Sequence, residues 1–119
     1  MTWEPISLRD LESLLFRDLA DCSGAQRDFF GRVRIQPTKW RLSPWGDVGG
    51  GFWAMAVHAD RVLWYNDIEE GFNVSRFEIP GQIPEDEYWC NQDPLRRALT
   101  QLEGEPGPRF GPPGPIPPV

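Results

Sequence analysis

Residues 51–79 read GFWAMAVHADRVLWYNDIEEGFNVSRFEI, and the parsing of this stretch decides the fold. Its valines, isoleucines and aromatics suit a pleated, half-buried surface. Two polar interruptions, Ala59-Asp60 and the longer Asp67-Ile68-Glu69-Glu70-Gly71, divide it into three strands joined by two turns. Alternation assigns Phe52, Ala54, Ala56 and His58 to one face of the first strand and Trp53, Met55 and Val57 to the other. In the second strand Leu63 and Tyr65 oppose Val62 and Trp64. Both faces are apolar, whereas a sheet covered on one side alone shows a polar second face. Helices or loops are therefore expected to cover the second face as well. In the third strand Phe72 and Val74 share one parity, while Phe77 and Ile79 share the other. A β-bulge near Ser75-Arg76 would reconcile them. Gly71 is expected to take a positive φ at the turn, and Pro80-Gly81 to end the strand.

Upstream, Ser7 caps a helix with Asp10 three residues on, a weak form of the capping box. Leu8, Leu11, Leu14, Leu15, Leu19 and Cys22 recur at helical spacing, and Gly24 is expected to stop the helix. Phe29-Phe30 follows, with Gly31 breaking the run. Residues 32–36 alternate basic with apolar side chains as a short strand that Pro37 should stop, and Lys39-Trp40-Arg41-Leu42 repeats the pattern. Residues 43–51, SPWGDVGGG, form a loop. Downstream, residues 82–88 read as an acidic surface loop. A last helix starts near Asn91 or Asp93 with Pro94 at its first position, carries Leu95, Ala98, Leu99 and Leu102, and ends at Gly104. The fold class implied is α+β: an N-terminal helix, an antiparallel meander of three to five strands and a C-terminal helix.

The 119 residues divide into one domain over residues 1–103 and a tail over residues 104–119. Seven prolines and four glycines in the last sixteen positions predict disorder there. PxxP spacings such as Pro112 to Pro115 suit a polyproline ligand, although a plain linker has the same composition. Six tryptophans and seven phenylalanines supply large core units. The net charge of −6 is uneven: residues 61–119 hold ten acidic groups against five basic ones. That balance argues against general affinity for nucleic acid and suits a basic protein partner. The N-terminus lacks the pattern of a secretory signal, and no apolar run reaches membrane-spanning length. A cytoplasmic protein with Cys22 and Cys90 reduced is expected.

No motif carries a reaction. His58 is the sole histidine, so a cysteine nucleophile would have to pair with it, and Cys90 ahead of a helix is the candidate for a hydrolytic enzyme. One histidine and two distant cysteines have no zinc spacing, and Asp67, Glu69 and Glu70 lack the pattern of a calcium loop. Gly49-Gly50-Gly51 has no lysine and no following helix, so it is no phosphate cradle. Residues 32–45 interleave four basic residues with two tryptophans, a weak signature of single-strand binding that a solvated strand face also explains. No cofactor is implied.

The remaining expectation is a small acidic protein-binding module, an inhibitor or antidote of a basic partner. The alternatives are a ligand-binding domain with an aromatic pocket and the Cys90 enzyme. The candidate contact set is the acidic turn with its flanking aromatics: Trp64, Tyr65, Asp67, Glu69, Glu70 and Phe72. Charge beside aromatic area combines steering with an anchor, although such acids also serve simply to keep a hairpin end soluble. A meander should place this turn and the Glu85–Glu87 acids at opposite ends of the sheet.

Overall fold

A computed structural model describes residues 4–104. The proposed tail lies, from residue 105 onward, outside the described residues. Helices α1 (Leu8–Leu19) and α2 (Gly24–Val33) precede strands β1 (Arg34–Trp40), β2 (Phe52–His58), β3 (Arg61–Asn66) and β4 (Gly71–Arg76), and helix α3 (Leu95–Glu103) closes the chain. The strands form one antiparallel sheet in sequence order. The three helices cover one face around Leu11, Phe29, Phe30, Leu63, Phe72 and Leu99. Loops cover the other, where Leu42, Trp45, Ile83 and Tyr88 bury Phe52, Val62 and Trp64. The two-sided apolar pattern of the central strands thus has its expected cause, a second core on the far face.

Helix α1 begins as read: Ser7 Oγ accepts from the Asp10 amide at 3.1 Å, and Leu11 and Leu15 are buried. It ends at Leu19, before Gly24. The region between α1 and the sheet differs from expectation. Gly24 opens a second helix, because Ser23 and Gln26 form a full capping box with both bonds at 3.1 Å. Arg27 of that helix donates to the Leu19 and Cys22 carbonyls at 3.4 and 2.5 Å, which ties α2 to the end of α1 and the turn after it. Gly31 does not break α2. It faces open space, and its weak helix propensity is overridden by burial of Phe29 and Phe30.

Strand β1 runs through Pro37 instead of stopping there. It is an edge strand with a register shift between Arg34 and Thr38, a place where a missing N–H is tolerated. The β2–β3 hairpin has the expected two-residue connection, with Ala59 at φ 54°. The bulge is not at Ser75-Arg76, where β3 and β4 pair without interruption. Phe77 follows the parity of Asn73 and Ser75 into the loop-side core, and its ring meets Trp40 edge-on at 4.9 Å. The apparent slip arises because both faces are buried. The real bulge lies in β2, where Ala54 pairs with Trp64 but Ala56 pairs with Leu63. Ala54, Met55 and Ala56 are consequently all buried, and Ala56 joins the helix side while Phe52 and Ala54 stay on the loop side.

The segment after β4 folds back along that strand as a strap. Asn73 and Asn91 exchange two 3.0 Å bonds, Asn73 Nδ2 to the Asn91 carbonyl and the Asn91 amide to Asn73 Oδ1. Ser75 Oγ donates to the Glu87 carbonyl at 2.5 Å, and the Phe72 amide donates to the Asp93 carbonyl at 3.0 Å. Gly71 does not take the positive φ of the turn; Glu70 does, at 58°. Glycine is required at 71 because a Cβ would collide with the Asn91 carbonyl and Gln92. Residues 82–88 are less exposed than a surface loop, since Ile83 and Tyr88 are buried while Glu85 and Asp86 stay outside. Helix α3 starts at Leu95, with Pro94 as its cap, one residue later than read, and Gly104 ends it at φ 127°.

Two stability predictions follow from this packing. Leu11→Ala should cost about 2–5 kcal/mol and Leu15→Ala the lower end of that range, because Leu15 also rims a surface groove. Phe16→Ala, at an 82% exposed neighbour, should change stability by only about 0.5 kcal/mol. Urea unfolding of the three variants checks the order. Asn73→Ala should cost about 1–3 kcal/mol by stranding the Asn91 amide and carbonyl, with faster hydrogen exchange at Asn91 as its local readout.

Candidate functional site

The β3–β4 connection is built by Asn66. Its Oδ1 accepts from the Ile68 and Glu69 amides at 3.1 and 3.2 Å, and its Nδ2 donates to the Tyr88 hydroxyl and the Trp89 carbonyl, both at 3.0 Å. An asparagine bonding its own backbone two residues on is a standard way to turn a chain. The three acids of the turn have different fates. Asp67 points inward: Oδ2 accepts from the Ile6 amide at 2.7 Å, and Oδ1 is buried without a partner. Burial pushes its pKa up, against the opposing pull of the Ile6 bond and of Lys39. Ile6 is held from its other side by Trp53, whose Nε1 donates to its carbonyl at 2.9 Å. Asp67 is thus an anchor for the chain entering α1. Glu69 is half-buried and Glu70 is exposed.

The aromatics do not flank the turn as one exposed group. Trp64 is fully buried on the loop side and donates to Ser75 Oγ at 2.9 Å. Tyr65 and Phe72 lie on the helix side with ring centroids 5.0 Å apart. These two do meet Glu70, in an open cleft of about 220 Å³ between the turn, the strap and α1. Leu14, Arg17 and Asp18 form its helical wall, and Gln92, Asp93 and Pro94 its floor. Asp18, Glu70 and Asp93 thus gather three carboxylates at a cleft lined by one cation, Arg17. Arg17 and Asp18 lie 3.8 Å apart, with the arginine 74% exposed. Asp93 is buried, accepts from Gln101 Nε2 at 3.4 Å and faces Arg97 at 4.0 Å. Burial raises its pKa, and Arg97 opposes the shift.

The sequence reading of this site missed α1 and the strap, which bring Asp18 and Asp93 to Glu70. Positions 14, 17 and 18 share one flank of a helix, so the wall was implicit in the α1 periodicity; its position beside the turn was not. The Glu85–Glu87 acids lie at the far end of β4, where the Arg76 amide donates to Glu87 Oε1 at 2.8 Å. The two acidic groups are separate, as a meander requires.

The other candidates are dispersed. His58 meets Phe29 edge-on at 5.2 Å on the helix side, whereas Cys90 packs on the loop side, so the sheet separates the two. Cys22 is buried, and burial raises its thiol pKa. Among the described residues, no group of three or more histidine, cysteine or acidic side chains is placed to hold a metal ion. In the basic stretch, Trp40 and Trp45 are buried in the loop-side core, so neither offers a face on which bases could stack. Lys39 sits 4.8 Å over the Trp53 ring, and burial lowers its pKa against the pull of Asp67. No described helix is long and apolar enough to cross a membrane. The PxxP spacings lie outside the described residues. No protein-family model, no curated protein and no solved structure matches the chain.

The inward Asp67 carries a pH prediction. A folded-state pKa above the ordinary 3.8 means that the folded protein holds this proton more tightly than the unfolded chain. The associated stability is present below the ordinary value and is lost as pH rises through the raised one. Asp67→Asn keeps an acceptor for Ile6 and removes the titration. The variant should therefore gain on the native protein in urea midpoint as pH rises above the ordinary carboxylate value of 3.8 and through the raised one. A difference that is flat with pH would show that Asp67 titrates alike in both states.

Proposed function

We propose that this chain is a small protein-binding module that engages a basic partner, as an inhibitor or antidote does, through the β3–β4 turn and the adjoining flank of α1. The observation that carries the reading is the gathering of Asp18, Glu70 and Asp93 at one cleft from three separate segments, with the exposed Glu70 at its rim. The net charge of −6 extends the attraction beyond contact distance. The two cysteines form no disulfide, which suits a reducing, cytoplasmic setting.

The alternatives have less support. An enzyme using Cys90 would need a base, and His58 lies across the sheet. A ligand pocket lined by the sheet aromatics would need Trp64 at a cavity wall, yet its indole is fully buried and bonded to Ser75.

Capture of partners from the native host, followed by binding kinetics, tests the proposal. Glu69→Lys combined with Glu70→Lys should slow association by on the order of tenfold or more and flatten its dependence on salt, while the folded state persists. Failure to capture a basic protein, or unchanged association by a folded double variant, would overturn the assignment.

A further inference from the structure

The chain's two tyrosines are buried to similar extents and treated differently. Tyr88 is 0% exposed, and its hydroxyl accepts from Asn66 at 3.0 Å. Tyr65 is 8% exposed, and among the described residues its hydroxyl makes no hydrogen bond. Asp67 Oδ1 is the buried unpartnered side-chain atom among the described residues, so the Tyr65 hydroxyl keeps contact with solvent, where an entering donor can replace water. The little surface that Tyr65 retains lies at the cleft, and Asp18, Glu70 and Arg17 are its charged surroundings there. The walls on either side are apolar, Leu14 from α1 and the Phe72 ring from β4.

This is an amphipathic receptacle. Its walls suit an aliphatic stem, Tyr65 offers a hydroxyl oxygen that no described residue bonds, and the carboxylates of its lining outnumber Arg17. An anion would be repelled by Glu70 and Asp18. Arg17 and Arg97 already face Asp18 and Asp93, so the charge that a neutral chain would leave unmet is chiefly that of Glu70. Lysine and arginine combine an apolar stem with a cationic, donor-only head, and so match both parts.

We propose that the cleft receives a lysine or arginine side chain, whose head donates to the Tyr65 hydroxyl oxygen between Glu70 and Asp18 while its stem lies against Leu14 and Phe72. The proposal rests on the partner-binding reading for the source of that side chain, and supplies the group by which a basic partner would be recognised. Glu70 at the mouth would steer the head inward, and Tyr65 would hold it.

The test is an NMR titration of the full isotope-labelled chain with three capped tripeptides, glycine-lysine-glycine, glycine-arginine-glycine and glycine-norleucine-glycine, and with spermidine. Saturable shifts at the amides of Glu70, Phe72 and Gln92 are expected with at least one cationic peptide and not with norleucine. Tyr65→Phe keeps the ring and its packing, and should weaken that peptide by about tenfold, the loss expected for a hydrogen bond to a charged group. Glu70→Gln should weaken it as well. Equal shifts from norleucine, no saturable shift from either cationic peptide, or unchanged affinity in Tyr65→Phe would overturn the proposal. Binding of spermidine without either peptide would reassign the cleft to free polyamines and overturn it as a side-chain site. The two readings fail separately. If the Glu69, Glu70 double variant loses a captured partner while Tyr65→Phe leaves the peptide titration unchanged, the cleft proposal falls and the module remains. If the peptides bind as expected and no basic partner is captured, the module falls and the cleft remains.

Discussion

The structure depends on the side-chain ladder by which β4 holds the strap. A terminal strand exposes a row of unpaired amides and carbonyls, and an exposed edge invites pairing with another chain. Here Asn73 and Ser75 supply side-chain bonds to Asn91 and Glu87, and Asn66 adds bonds to Tyr88 and Trp89. These polar side chains are fully buried, so their bonding is obligatory: a lost partner leaves a desolvated group, at about 1–3 kcal/mol. The ladder also fixes what lies beyond it. It sets Tyr88 in place to stack on Trp45, with centroids 4.3 Å apart and planes within 5° of parallel, which closes the loop-side core. It carries the chain back to Asp93 and Pro94, from which α3 crosses the helix side. A single polar seam therefore connects the two cores.

The same seam explains why the site sits where it does. The turn end of β4 receives the returning strap, and α1 passes over it, held by the Ile6 bonds to Asp67 and Trp53. The cleft is the space left between these three segments. Its geometry therefore relies on Asp67 facing inward, although that residue lies in the most acidic turn of the chain. Asp67 anchors, Glu69 is intermediate and Glu70 projects, so a local run of like charge is divided between scaffold and surface. Burial of Asp67 opposes its own ionisation, and the Ile6 amide and nearby Lys39 compensate in part. The turn is therefore not a purely solubilising cap.

The aromatics show a parallel division. Trp64, Tyr65 and Phe72 are neighbours in the pairing of β3 and β4, yet alternation sends Trp64 to the loop side and the other two to the helix side. A contact set chosen by proximity along the chain thus separates into a core member and two wall members. Tyr65 combines core packing with a place in the lining of the cleft.

Local chemistry made several elements legible in the sequence alone. The Ser7 cap and leucine stripe announce α1, the two-residue gap at Ala59-Asp60 announces a hairpin, the Pro94 and Gly104 boundaries announce α3, and the doubly apolar strands require two covered faces. Each rests on interactions within a few residues, which a linear pattern records. What failed depended on distant partners. Helix α2 carries its own capping box, but Gly24 and Gly31 obscured it, and burial of Phe29 and Phe30 against α3 and the sheet outweighs those glycines. The β2 bulge falls among Ala54, Met55 and Ala56, whose small or flexible side chains suit either face, so the pairing with β3 alone decides it. For the site, Tyr65, Glu70 and Phe72 could be chosen from one turn, because they are close in sequence. Asp18 and Asp93 could not, since only the strap ladder and the Ile6 anchor bring them there, and such long-range bonds leave no periodic trace along the chain.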